Sequence, residues 1–144
     1  MTADSSDVVR QMMDRMNAHD LDGMVALMHP DYVSEQPFHP ARNFVGRAQM
    51  KANWGAILAG VPDLRVEIVR QTQDAETSWS EWHWSGTTED GEAFELRGVV
   101  LFDVHDGLIT RGRLFTEQVE RGGLGISESV EASSGRRPQL EPEA

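Results

Sequence analysis

The apolar residues of this chain change period once, near Gly60-Val61-Pro62-Asp63, and that change restricts the fold more than any other feature. Before it the spacing is helical. Val8, Met12 and Met16 recur every four residues behind a Ser5 or Ser6 cap, and a second helix starts at Asp20 and carries Leu21, Met24, Val25 and Met28. His29-Pro30 should end that helix, because the residue before a proline avoids the helical region. A short strand, Tyr32 to Gln36, and a loop punctuated by Pro37 and Pro40 lead to a third helix from about Arg47 to Leu58. After the change, Leu64, Val66 and Ile68 alternate with Arg65, Glu67 and Val69, as in a strand with one buried face. Thr77 to Ser85, Ala93 to Asp103 and Leu108 to Val119 follow as three further strands, with turns at Glu89-Asp90-Gly91 and His105-Asp106-Gly107. Helices followed by a run of strands predict an α+β domain in the order α-α-β-α-β-β-β-β. Its helices should pack on one face of a bent, largely antiparallel sheet around a ligand-sized pocket.

Charge and composition narrow the function classes. The 144 residues fit one core, and 24 acidic against 13 basic side chains give a net charge of −11. Up to Glu120 there are 20 acidic and 10 basic residues, so the acidity belongs to the domain and not to its tail. Such a surface repels phosphate backbones, and nucleic acid is not an expected partner. The chain has no cysteine, which excludes disulfides, thiolate metal sites and a cysteine nucleophile. No His-x-His or His-x-x-x-His spacing occurs, so neither a metal nor another cofactor is expected. No apolar run is long enough to span a bilayer and no leader is evident, which points to a cytoplasmic protein with no membrane partner. Residues 1–120 read as the pocket domain, and residues 121–144, polar and rich in Gly and Ser, as a flexible tail.

Three local signals, in this order along the chain, carry a resemblance: Asn17-Ala18-His19-Asp20-Leu21 at a helix break, Gly46-Arg47 opening the third helix, and Gly98-Val99-Val100-Leu101-Phe102 running into Asp106-Gly107-Leu108-Ile109. In these, over about Val8 to Glu120, the chain resembles the SnoaL-like, polyketide-cyclase-like branch of the nuclear-transport-factor-2-like superfamily, relatives of ketosteroid isomerase and limonene-epoxide hydrolase. Glu35-Gln36-Pro37-Phe38-His39-Pro40-Ala41-Arg42 and Asn53-Trp54 are similar to a narrower group within it. The resemblance implies a cone-shaped curved sheet closed by the helices, a small-molecule ligand, and a homodimer through the outer sheet face. The relatives' machinery does not carry over. Gln36 stands where ketosteroid isomerase has its Asp base, and Met12 and Val99 stand at its oxyanion positions. The hydrolase's Arg and two Asp fall on Glu81, His83 and Leu114, and its water-holding pair falls on Ser34 and Gln36.

That alignment, with strand alternation, turns Glu81 and His83 toward the pocket and makes them the acid–base candidates. Arg97 and Val99 would share their face, with Arg97 steadying negative charge, and Gln36 and Ser34 would look in from the short strand. Met12, Met16, Trp54 and Leu114 complete the expected wall, and His39 with Arg42 is placed at its mouth. Trp82 and Trp84 would then form the outer apolar patch of a homodimer. A one-residue slip would reverse both faces. The expected function is cofactor-independent cyclisation, isomerisation or hydration of a small, apolar, oxygenated molecule. The alternative is a non-catalytic binding or accessory homodimer that uses the same pocket.

Overall fold

The computed structural model describes residues 4–143. Residues 1–3 and 144, counted above in the domain and the tail, lie outside the described residues. Helices α1 (Ser5–Asn17) and α2 (Leu21–Val25) come first, then strand β1 (Met28–Glu35), a short β2 (Phe44–Val45) and helix α3 (Arg47–Gly60). Four long strands follow, β3 (Arg65–Asp74), β4 (Thr77–Thr87), β5 (Ala93–His105) and β6 (Leu108–Gln118), and then helix α4 (Ile126–Ser134). The α+β order is the expected one. No helix among the described residues is long and apolar enough to cross a membrane.

Several boundaries differ for local reasons. Asp4, not Ser5 or Ser6, caps α1, its carboxylate accepting the Asp7 N–H at 2.8 Å. The second helix stops at Val25, and Met28 to Pro30 belong to β1, where Met28 aligns with Ile109 of β6 in parallel. Pro30 holds His29 extended, so the chain enters a strand there. Within the tail, α4 forms, and it buries none of its residues.

The six strands run β2-β1-β6-β5-β4-β3 in one curved sheet that does not close. The β1–β6 pair is parallel and the rest are antiparallel. At Gly98, φ is +155°, and a Cβ would lie 2.2 Å from the Phe115 carbonyl oxygen. Only glycine lets β5 and β6 approach this closely, opposite Trp82 on the other side. Helix α1 lies across the inner face, burying Val8, Val9, Met12 and Met16 against the strands.

The register assigns each strand its faces. Trp82 pairs with Gly98 and Trp84 with Leu96, and both tryptophans point to the core, 0% and 7% exposed. Ser78 and Ser80 share their face and are also buried. The alternate residues Trp79, Glu81 and His83 therefore face outward, as do Arg97, Val99 and Leu101 across the ladder. The expected phase of β4 and β5 is corrected by one residue.

Candidate functional site

A cavity of about 560 Å³ opens between the helices and the inner sheet face, within the size range of small-molecule pockets. Its deep wall is apolar. Met12 and Met16 come from the buried stripe of α1, Trp54 and Ile57 from α3, and Val100, Phe102 and Leu114 from the centre of β5 and β6. Tyr32 and Ser34, two apart on β1, add hydroxyls to this wall. Burial pushes the Tyr32 phenol up to about 12, against a smaller downward pull from its hydrogen bond with Ser34. Gly112 leaves room for that phenol, since a Cβ there would lie 2.3 Å from the Tyr32 oxygen.

Polar groups gather toward the mouth. Gln36, just past β1, accepts from Arg42 Nη1 through its side-chain oxygen at 3.2 Å, and its backbone N–H donates to Asn43 Oδ1 at 2.7 Å. Thr116, Glu117 and Gln118 close the rim from the end of β6. The loop after Gln36 folds back over this strand. Phe38 meets Phe115 edge to face at 5.5 Å between centroids, and His39 Nε2 contacts the Glu117 carboxylate. Glu117 pairs with the outward Arg97, so this carboxylate and imidazole meet at the outer lip of the cavity and not on its inner wall.

Six expected wall residues do line the cavity: Gln36, Ser34, Met12, Met16, Trp54 and Leu114. His39 does not line the cavity, and its expected place at the mouth is corrected to a contact with the Glu117 carboxylate. Glu81, His83, Arg97 and Val99 do not, because their alternation sets them on the outer face, so their inward placement is corrected. There His83 Nε2 lies 2.8 Å from Glu95 Oε2, with Arg97 and Arg121 also against Glu95. Arg121, then His83, holds the Glu95 carboxyl below its usual range. Beside the β3 edge, His83 borders a smaller cleft of about 300 Å³ with Met13 and Glu67. The expected dimer patch is likewise corrected. Trp82 and Trp84 are buried inside the cone, and the exposed indole of β4 is Trp79, 47% exposed.

The sequence reading missed Trp84 and Phe102 as lining residues, although the apolar inner row of β5, with β4 paired to it, carries the signal for both. It also left out Tyr32, and the Gly112 opposite it gave no recognisable signal. Among the described residues, no group of three or more His, Asp or Glu side chains is arranged to hold a metal ion.

Comparison with known proteins agrees with this architecture. No curated protein matches the chain. Among solved structures, wild-type IdmH, a proposed polyketide cyclase from Streptomyces antibioticus, is similar at 21% identity, with TM-score 0.68 over 81% of this chain and 92% of that one. RV0760c from Mycobacterium tuberculosis, solved in complex with estradiol-17beta-hemisuccinate, is 22% identical, with TM-score 0.67 over 77% and 92%. A proposed ketosteroid isomerase from Kribbella flavida DSM 17836 is 21% identical, with TM-score 0.68 over 97% and 93%. At these identities the likeness is one of fold. The family model for the SnoaL-like domain matches residues 9–112, and the chain belongs to that family.

Proposed function

We propose that the cone binds a small, largely apolar, oxygenated molecule and moves a proton on it without a cofactor. The carrying observation is the 560 Å³ cavity, apolar at depth and ringed at its mouth by Gln36, Arg42, Thr116 and Glu117. The steroid hemisuccinate bound by RV0760c has this kind of chemistry, an apolar body with oxygens at its ends. In this reading the Glu117 carboxylate takes a proton from a carbon beside a ligand carbonyl. His39 steadies that carboxylate, and Arg42 faces the developing oxyanion. Returning the proton to the same or a conjugated carbon gives exchange or isomerisation. The outward Glu81 and His83 have no part in this step.

One observation favours the alternative of binding without catalysis. The deep wall offers hydroxyls from Tyr32 and Ser34 but no carboxylate or imidazole. A single probe separates the two readings. 2-Tetralone is an apolar bicyclic ketone with exchangeable protons beside its carbonyl, and its hydrogen–deuterium exchange can be followed with and without protein. The enzymatic reading expects saturable acceleration that drops by about a hundredfold or more in Glu117→Gln. Binding with exchange at the free-solution rate would leave only the non-catalytic reading, and no binding by 2-tetralone or a wider oxygenated lipophilic library would remove both.

A homodimer through the outer sheet face remains part of the proposal, with different anchors. Trp79 pairs with Leu101, and Val99 with Phe115, forming an apolar strip across β4, β5 and β6. A dimer in sedimentation that becomes a monomer in Trp79→Glu would support this, and a wild-type monomer would refute it.

A further inference from the structure

Among the described residues Arg42 is the one cationic side chain lining the cone, and it pairs with no carboxylate. The outer sheet face treats its arginines differently. There Arg97 and Arg121 share Glu95, and Arg111 and Arg113 share Glu35. Arg42 meets an amide instead, its Nη1 donating to Gln36 Oε1 at 3.2 Å. A guanidinium offers donors only, so this contact fixes the Gln36 amide with its oxygen toward Arg42. The Gln36 Nε2 group then has no acceptor among the described residues. Asn53 on α3 repeats the pattern. Its Oδ1 accepts from Gln49 Nε2 at 2.7 Å, and its own Nδ2 group has no acceptor among the described residues. The loop that carries Arg42 is tied down by its backbone. The His39 N–H donates to the Gln36 carbonyl and the Arg42 N–H to the His39 carbonyl, both at 2.9 Å, which returns Arg42 beside Gln36. Arg42 is exposed and Gln36 and Asn53 are half-buried, so all three have surface to offer a ligand. The one carboxylate on the rim, Glu117, meets His39 and not Arg42.

We infer that the ligand of the cone is an amphiphilic acid. Its apolar body lies against the deep wall, and its carboxylate takes N–H groups from Arg42, Gln36 and Asn53 at the mouth. This rests on the small-molecule reading above and narrows its ligand class. A neutral carbonyl would accept from the same donors but leave the guanidinium without a counter-charge as the apolar body covers it. A carboxylate supplies that charge, and its two oxygens match the fork of Arg42 and the unused amide donors. The fork has N–H groups beyond those a carboxylate uses, so it still faces the oxyanion of the proton-transfer step.

The test compares 2-naphthoate with 2-naphthamide, the same apolar body with and without the charge, at about pH 7, where the acid is ionised. Wild type should bind 2-naphthoate at least about tenfold more tightly. Arg42→Gln should weaken 2-naphthoate by about tenfold or more and 2-naphthamide by less than about threefold. Gln36→Glu sets a carboxylate of the protein against Arg42, and it too should weaken 2-naphthoate selectively. Equal binding of the two probes by wild type, or equal losses in Arg42→Gln, overturns the inference while leaving the cavity a binding site. Binding of 2-tetralone without 2-naphthoate has the same meaning. The wild-type preference and Gln36→Glu decide the matter if Arg42→Gln does not fold. Failure of all three probes to bind wild type removes the small-molecule reading and this inference with it.

Discussion

The side-chain amide of Asn17 hydrogen-bonds both backbone groups of Val66, donating to its carbonyl at 2.9 Å and accepting from its N–H at 2.8 Å. Val66 lies on β3, the edge strand, so the last residue of α1 supplies the pairing that a seventh strand would give. Two residues on, the His19 ring nitrogen Nε2 lies 3.0 Å from the Leu64 carbonyl. The break between α1 and α2 is therefore a clamp on the sheet edge. Asn17→Ala should destabilise the protein by about 1 to 3 kcal/mol, read as a lower urea midpoint at unchanged slope. A midpoint equal to wild type would show that water replaces the clamp at no cost.

Tyr32 is the chain's one tyrosine, so its titration can be followed without interference. Its folded value of about 12 exceeds the model-peptide value near 10, so burial favours the neutral phenol. The associated stability is fully present below about pH 10 and is lost as pH rises toward about 12, by roughly 2 to 3 kcal/mol in all. Denaturant unfolding of wild type between about pH 9 and 11 should show this decline, and Tyr32→Phe should flatten it. Phenolate absorbance appearing in the folded protein near pH 10 would contradict the buried placement.

Gly112 and Tyr32 should be energetically coupled. Gly112→Ala places a methyl 2.3 Å from the phenol oxygen and 3.1 Å from the Phe102 ring, an overpacking worth about 1 to 3 kcal/mol. In a Tyr32→Phe background the first contact disappears, and the same substitution should cost at least about 0.5 kcal/mol less. Additive costs in a double-mutant cycle of unfolding free energies would show that the phenol is not what the methyl meets.

The element order was legible because each signal for it is local. Asp106 and Gly107 both take positive φ, as the hairpin turn required, and the Met12–Met16 stripe faces the cavity as its helical spacing implies. Ser34, Gln36 and Leu114 also line the cavity. The phase of β4 was not legible from its own residues. Its inner row runs Ser78, Ser80, Trp82, Trp84 and its outer row Thr77, Trp79, Glu81, His83, so each face mixes polar with aromatic side chains. On β5 the inner row of Phe94, Leu96, Val100 and Phe102 is plainly more apolar than Glu95, Arg97, Val99 and Asp103, and pairing it with β4 would have turned the tryptophans inward. The rim contact of His39 with Glu117 depends on a loop folding across a strand 78 residues away, which no local pattern encodes.

The proposed binding site is the cone interior and not the His83 cleft. Methionine methyl groups report on both places. Met12, Met16 and Met50 line the cone, whereas Met13 borders the cleft with His83. With methyl-labelled methionine and bound 2-tetralone, intermolecular nuclear Overhauser effects should reach Met12, Met16 and Met50 and leave Met13 silent. Effects confined to Met13 would place the ligand in the cleft at the β3 edge and contradict the account.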